Sequence, residues 1–212
     1  MTKRLVLTSL LLATLLVLAG CASLRPVVID DVRYIPVELW TGADWDGTRE
    51  LRMRPVEITS GRNENRIISG PMPWRHPKTG AAMTVYERVK EKTGGTKRQL
   101  YAINEDGTGL GRVYDSRPGQ EDRYFSGEVI FPLGPWSRGE ERVFRYLEYT
   151  DEGPIERIAT LKIRRLDFNH GGVPHSLKYD WKLHDASGEL LFHERYVYSP
   201  GRGLVMFRDR ME

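Results

Sequence analysis

The residues of this chain that are best suited to chemistry lie on one predicted β-hairpin. Its turn is Asp185-Ala186-Ser187-Gly188, a cluster of turn-forming residues between two alternating segments. If Asp185 pairs with Gly188, His193 stands opposite Asp180 across the hairpin. A histidine oriented by a carboxylate is half of the arrangement that activates a nucleophile. The nearest serines lie in turns without a nucleophile elbow, so we predict an exposed ion pair and no catalytic residues.

The two faces of this hairpin differ in character. The first face is aromatic in this register and presents Leu177, Tyr179, Trp181, Leu183, Leu190, Phe192, Glu194, Tyr196 and Tyr198. The second face is polar, is expected to contact solvent and presents Lys178, Asp180, Lys182, His184, Leu191, His193 and Arg195. The alternation therefore predicts that the aromatic face lies against a core or a cavity.

Glu194 is the unusual member of the aromatic face. An isolated charge is costly to bury, so a carboxylate there must be paired or protonated. We predict that Glu194, Trp181, Tyr179 and Tyr196 are the ligand-binding residues if the face lines a cavity. The alternatives are a structural hydrogen bond to Glu194 from Tyr179 or an arginine, and a position at an open rim.

The sequence predicts no metal site and no cofactor. The five histidines lack the closely spaced, converging ligands of a zinc site, and no HExxH motif is present. The segment Asn104-Glu105-Asp106-Gly107-Thr108-Gly109 would fit a calcium loop only if Ala102 were the first ligand, and alanine has no ligating atom. Since no helix is predicted after these glycines, a site for nucleotide phosphates is disfavoured as well. We expect a hairpin loop there.

Two tryptophans, Trp45 and Trp74, fall in segments predicted to be loops. A loop tryptophan can grip a sugar or a lipid, or rest at a membrane interface. The alternative that we favour is that they plug the ends of a β-barrel or sandwich.

Most of the chain has the pattern of β-strands. Ten segments are rich in β-branched, aromatic or alternating residues: 51–59, 82–92, 97–104, 111–115, 125–131, 142–150, 155–167, 176–184, 189–198 and 203–208. Short turns rich in glycine and proline separate them, and only a short helix around 36–40 is suggested. The pattern predicts an all-β fold, a predominantly antiparallel meander of about ten strands in a strongly bent sheet or an open barrel.

The N-terminal segment carries a targeting pattern. A basic start is followed by an apolar run over 5–18 and by Leu18-Ala19-Gly20-Cys21, which contains the only cysteine. The run is shorter than the about 20 residues of a membrane span and fits a secretory signal. This pattern resembles the signal peptide and lipobox of bacterial lipoproteins. The resemblance implies a signal at 1–20, a lipidated cysteine and short tether at 21–32, and one β-rich periplasmic domain at 33–212.

The same resemblance implies a membrane anchor on Cys21. Two or three acyl chains on one residue hold a protein almost permanently, because each buried CH₂ contributes about 0.8 kcal/mol. Ala22 follows the cysteine where Asp would favour the inner membrane, so the sorting rule of the family implies the outer membrane, on its periplasmic side. The alternative is a secreted protein cleaved near Ala22.

Composition argues against a nucleic-acid partner. The chain has 32 basic and 29 acidic residues, and loss of Lys3 and Arg4 with the signal leaves the mature chain near neutrality. Nothing in this balance calls for nucleic acid, which an exported protein rarely meets.

The C-terminal segment 194–205 contains Tyr-x-Tyr-x-Pro-Gly-x-Gly-Leu-Val, which resembles the closing hairpin of uncharacterised exported β-domain lipoproteins. That resemblance implies a β-sheet and no activity. We therefore expect a lipid-anchored envelope lipoprotein with a non-catalytic binding role toward a hydrophobic ligand, an envelope component or a partner protein. The alternatives are a structural or assembly lipoprotein that acts through its outer surface, and an envelope hydrolase of glycan or lipid.

Overall fold

The computed structural model describes residues 32–42, 51–57, 63–92 and 94–210, with side chains at 32–42, 67–91 and 94–210. The predicted signal peptide, Cys21, the tether up to residue 31 and Trp45 lie outside the described residues. All the described elements belong to one compact unit, Val32–Glu212.

The described part of the chain contains one short helix, α1 (Val37–Thr41), and thirteen strands. The strands are β1 (Val32–Ile35), β2 (Leu51–Glu57), β3 (Asn63–Arg75), β4 (Ala82–Lys92), β5 (Gly95–Ile103), β6 (Gly109–Ser116), β7 (Arg123–Pro132), β8 (Gly134–Ser137), β9 (Glu141–Thr150), β10 (Gly153–His170), β11 (Val173–Asp185), β12 (Leu190–Ser199) and β13 (Gly203–Asp209). Eleven strands form one sheet in the order β13-β12-β11-β10-β9-β7-β6-β5-β4-β3-β2, and β1 pairs with β8. Every pairing is antiparallel, so the predicted all-β antiparallel meander is confirmed.

All ten predicted strands are present, and the short helix is α1. The sequence analysis missed β1, β3 and β8. Strand β3 was hidden by Gly70-Pro71-Met72-Pro73, because proline cannot donate to a β-ladder and usually marks a loop. The register between β3 and β4 shifts between Ser69 and Met72, so this irregularity absorbs the first proline and the strand continues. Trp74 pairs with Met83 inside β3, and its predicted position in a loop is therefore wrong.

The large sheet bends where β7 separates from β9, close to the beginning of β7. It pairs with β9 only at Tyr124 and Phe125. Farther along β7, the carbonyl oxygens of Val129 and Ile130 accept hydrogen bonds from side chains of β11, at 3.0 and 2.8 Å. These hydrogen bonds hold the half of the sheet that contains β11 against the half that contains β7. The outermost strands β2 and β13 come into contact without a β-ladder, so the sheet is strongly bent and does not close.

The core lies inside this bend and is rich in aromatic residues. Trp40 of α1 is fully buried with its ring centroid 4.9 Å from that of Tyr101. Trp136 of β8 is also fully buried and donates a hydrogen bond from Nε1 to the Leu133 carbonyl. Phe131 lies edge-on to Tyr198, with centroids 4.8 Å apart. The core therefore joins residues from both halves of the sheet.

The β11–β12 hairpin differs from the prediction in its register. Asp185 pairs with Glu189, not Gly188, because the loop has three residues and Gly188 adopts a φ of +91°. A register shift next to the turn then places Leu183 opposite Phe192. Beyond this shift the net displacement is an even number of residues, so the two predicted faces keep their members there while the cross-strand partners change. Next to the turn the prediction is wrong, because Leu190 pairs directly with His184, which was expected on the opposite face.

Candidate ligand-binding cleft

An open cleft of about 390 Å³ lies on the inner face of the bent sheet. Strands β4–β7 form one side of it, and β11–β13 form the other. This volume falls in the range of small-molecule pockets, which is about 300–1,000 Å³. All four predicted ligand-binding residues, Glu194, Trp181, Tyr179 and Tyr196, line the cleft together. Their role in binding stays a prediction.

The β11–β13 side of the cleft is an aromatic wall, formed by Tyr179, Trp181, Phe192, Tyr196, Tyr198 and Phe207. Period-2 alternation places them on one face of adjacent strands. The ring of Tyr179 stacks on those of Tyr196 and Tyr198, with centroids 5.3 and 6.1 Å away. The wall is thus a packed layer of rings, and its more exposed members are Phe192, Tyr196 and Phe207.

Two members of the aromatic wall also hold the fold together. Tyr179 donates its hydroxyl hydrogen to the Ile130 carbonyl, and Trp181 donates its indole N–H to the Val129 carbonyl. Both side chains are buried, at 0 and 5% exposure. Because these side chains are buried and their polar atoms are bonded, Tyr179 and Trp181 support the aromatic wall from behind.

Glu194 lies in the aromatic wall, as the alternation predicts, and its hydrogen-bond donor is the hydroxyl group of Tyr196. The predicted alternative donors were Tyr179 and an arginine. Burial raises the pKa of Glu194, and the negative charges of Asp209 and Glu128 add to this effect. The neutral form of the carboxyl is therefore favoured more than in water.

The β4–β7 side of the cleft is a cationic wall, formed by Arg88, Lys90, Lys97, Arg112, Arg117 and Arg123. Sequence reasoning missed it. The signal was present as the alternating basic residues Arg88 and Lys90 of β4, but basic residues at period 2 ordinarily indicate a solvent-exposed face. Here the bend turns that face inward.

Arg88 is the most deeply buried cation of this wall, at 8% exposure. It donates from Nε and Nη2 to Gln99 Oε1, at 3.2 and 2.8 Å, and from Nη2 to the Tyr101 hydroxyl. Its guanidinium lies over the rings of Tyr101 and Trp40, 4.7 and 5.7 Å from the centroids. Among the side chains that the structure describes, every hydrogen-bond acceptor of Arg88 is a neutral group.

Asp115 lies behind the cationic wall and is shared by three of its members. It is fully buried and accepts hydrogen bonds from Arg112 Nη1 at 3.0 Å and Arg117 Nη2 at 2.9 Å. Lys97 Nζ is 3.6 Å from Oδ1, which is too long for a direct hydrogen bond. Glu128 adds a second carboxylate, which is bonded to Arg112 and to the Tyr146 hydroxyl at 3.0 Å.

Lys97 is the member of the cationic wall whose charged form is disfavoured by its surroundings. Burial lowers its pKa to about 7; the attraction of Asp115 opposes the shift, and repulsion from Arg112, Arg117 and Arg88 adds to it. A cation surrounded by other cations loses its proton more readily. The contact with Asp115 therefore only partly compensates the charge of Lys97.

The predicted His193–Asp180 pair needs correction. Asp180 stands opposite Arg195, and His193 stands opposite Lys182, because of the longer turn. His193 Nε2 still lies 3.5 Å from Asp180 Oδ2 across the diagonal. Asp180 is buried at 1% exposure and is not an exposed partner; two guanidinium groups, from Arg195 and Arg164, donate to it.

A second cavity, of about 360 Å³, lies beside α1 and the β10–β11 turn. It contains a contact between His175 Nδ1 and Asp167 Oδ1, and both residues have positive φ values, of 58° and 53°. Arg33 lies 3.5 Å from the same carboxylate. No group of three or more His, Cys, Asp or Glu side chains within the described ranges is arranged to hold a metal ion.

The fold and the cleft define an antiparallel β domain with an amphipathic cavity between the halves of one bent sheet. Comparison of the chain with protein-family models, with curated proteins and with solved structures found no match in any of the three. In the part of the chain that the structure describes, no helix has the length and apolar character needed to cross a bilayer.

Proposed function

We propose that this protein is a lipid-anchored lipoprotein of the bacterial outer membrane, on its periplasmic side, whose β domain binds a hydrophobic ligand in the cleft. The observation that carries the proposal is the open cavity of about 390 Å³ with an aromatic wall. A fully packed interior would have argued against a ligand. The anchor and the location rest on the lipobox that ends at Cys21. The proposed role is binding without catalysis.

The cleft is tested by native mass spectrometry of the chain from Ala22 onward, exported with a cleavable signal and released gently from the periplasm. We expect a discrete adduct with the mass of a lipid-like molecule. Phe192 lines the cleft and is 51% exposed, whereas Val143 lies on the outer face of β9 and is 60% exposed. Phe192→Asp should abolish the adduct because it places a charge at the apolar rim. Val143→Asp, which makes the same change away from the cleft, should retain the adduct.

A clean mass without adduct would count against the proposal and would favour the structural or assembly role. Val143 and Leu147 on the outer face of β9 would then be the first surface to search for partner proteins. A hydrolase of glycan or lipid would need two available carboxylates across the cleft. Glu128 and Glu194 do line it, but Glu128 is held by Arg112 and Tyr146, and Glu194 is bonded to Tyr196. These bonds favour a binding role over a hydrolase.

A further inference from the structure

The chemistry of the cationic wall narrows the class of ligand. Burial of a guanidinium group is costly unless an anion compensates it. Arg88 is 8% exposed, and the acceptors that it meets, Gln99 Oε1 and the Tyr101 hydroxyl, are neutral. The arrangement satisfies the hydrogen-bond geometry of Arg88 without neutralising its charge. A negative group inside the cleft would supply what the described side chains do not.

The charge balance around the cleft supports the same conclusion. Five of the cations that line it are Arg88, Lys97, Arg112, Arg117 and Arg123. The described carboxylates that hold members of this set are Glu128, Asp115 and Glu148, and Glu148 is shared between Arg123 of the wall and Arg157 outside it, at 3.0 and 3.1 Å. Burial raises the pKa of Glu194, so its charged form is less favoured than in water. Among these five cations, Arg88 and Lys97 donate no hydrogen bond to a described carboxylate.

The two walls bound the same cavity and differ in chemistry. A free inorganic anion would satisfy the cationic wall and leave the aromatic wall bare. A neutral apolar molecule would cover the rings of Phe192, Tyr196 and Phe207 and leave Arg88 uncompensated. A molecule with an anionic end and an apolar body satisfies both walls at once.

We propose that the ligand of this cleft is an anionic amphiphile, bound by its phosphate or carboxylate group at Arg88, Lys97 and Arg117. Its apolar chain lies against the aromatic wall. The orientation follows from the two walls, because the cations lie on one side of the cleft and the aromatic rings on the other. This inference rests on the proposed binding function and adds the chemical class of the ligand.

The charge of Lys97 is only partly compensated by its neighbours, which favours an anion bound at this site. Its ammonium group is 3.6 Å from the only carboxylate paired with it in the described structure, Asp115, and Arg112, Arg117 and Arg88 repel it. An anion bound between Lys97 and Arg88 would relieve that repulsion. Arg117 keeps about a third of its side chain exposed, which leaves part of its guanidinium free to reach a ligand.

The test uses the full chain in nanodiscs of phosphatidylcholine and two photoreactive probes that differ in charge. One probe is a diazirine-bearing dodecanoic acid, and the other is the dodecanol with the same diazirine. We expect saturable labelling of β12 and β13 by the acid, located by peptide mass spectrometry. The alcohol should label these strands about tenfold less well, because it lacks the charge-assisted hydrogen bonds. Dodecyl phosphate should compete with the acid at concentrations where inorganic phosphate does not.

Three substitutions locate the head group. Arg117→Gln and Lys97→Gln should each weaken labelling by the acid about tenfold and leave labelling by the alcohol unchanged. Arg88→Gln should have a larger effect; if it fails to fold, the two partly exposed positions still decide the question. Arg145→Gln is the matched control, since Arg145 is 64% exposed and pairs with Glu156 on the outer face. It should label as the unaltered chain does.

Three other outcomes of the labelling experiment would each contradict a different part of the argument. Equal saturable labelling by acid and alcohol, unaffected by the cationic substitutions, would leave the proposed function in place and contradict the anionic ligand. Competition by inorganic phosphate as effective as that by dodecyl phosphate would identify a site for a free anion and contradict the amphiphile. Absence of saturable labelling by both probes would contradict the inference and the proposed function together.

Discussion

Buried carboxylates held by pairs of arginines recur at three places in this sheet. Asp115, Glu148 and Asp180 each accept hydrogen bonds from two guanidinium groups. Burial by itself raises the pKa of each carboxyl, but the arginines outweigh it and leave the pKa lowered. The sequence is rich in arginine on strands because planar guanidinium groups can share a carboxylate across neighbouring strands.

Asp180→Asn should destabilise the domain, because it leaves Arg195 and Arg164 beside a neutral amide. We expect a loss of about 1–3 kcal/mol in the free energy of unfolding at pH 7, between the values for exposed and buried ion pairs. The pKa of Asp180 is lowered to about 2, so its contribution is present above the unfolded pKa and is lost as the pH falls toward 2. The difference from the unaltered chain in urea unfolding should therefore shrink between about pH 5 and pH 2.

The matched control for Asp180 is Glu141→Gln. Glu141 pairs with Lys162 at 2.9 Å, and both side chains are about 40% exposed. Its loss should cost less than about 1 kcal/mol. An equal loss in the two variants, or a difference at Asp180 that does not change with pH, would contradict the role that we assign to this buried cluster.

Among the elements, two contacts across the fold decide the shape of the sheet. The first is the departure of β7 from β9, which is fixed by the hydrogen bonds that Tyr179 and Trp181 donate to β7. The second is the end of α1 against the start of β13. Gly42 follows α1 with φ +91°, and its N–H donates to the Glu38 carbonyl at 2.9 Å, which is a typical left-handed helix end.

Gly42→Ala tests the second contact. An added Cβ would lie 2.8 Å from the backbone nitrogen of Gly203, so α1 and β13 would have to separate. Together with the cost of a left-handed alanine, we expect a loss of about 2–4 kcal/mol in stability by urea unfolding. Gly80→Ala is the control, because Gly80 has φ +72° and no atom within 4 Å of its added Cβ. It should cost about 1 kcal/mol, and equal losses would show that the close approach is unimportant.

For the whole molecule, the decisive prediction concerns the anchor. Cys21→Ala should abolish the uptake of labelled palmitate and leave a soluble or signal-tethered species, because it removes the thiol that we propose to be acylated. Ser23→Ala, two residues away, should label normally. The measurement is metabolic labelling followed by fractionation of the envelope. Continued labelling of Cys21→Ala would overturn the lipoprotein proposal and with it the proposed location.

Much of the fold follows from local sequence patterns. Each predicted strand overlaps an observed one because alternation and turn residues act within a few positions. The aromatic wall could also be predicted, since an even displacement of register preserves which residues share a face. The true partners of Asp180 and His193, which are Arg195 and Lys182, could not be predicted, because the longer loop and the register shift beside it change every cross-strand partner. Strand β3 was missed because its two prolines are typical of a loop.

Local patterns in the sequence are enough to predict the β-rich character of the chain, the approximate strands and the aromatic face that carries Glu194. These properties depend on neighbours along one strand or one hairpin. The inward turn of the basic face of β4–β6, which meets that aromatic face across a cleft, is visible only in the folded chain. The reason is physical: a basic face alternates in the same way whether it meets water or a cavity, and the bend at β7 selects between them. That bend depends on bonds between β7 and β11, strands far apart in the sequence.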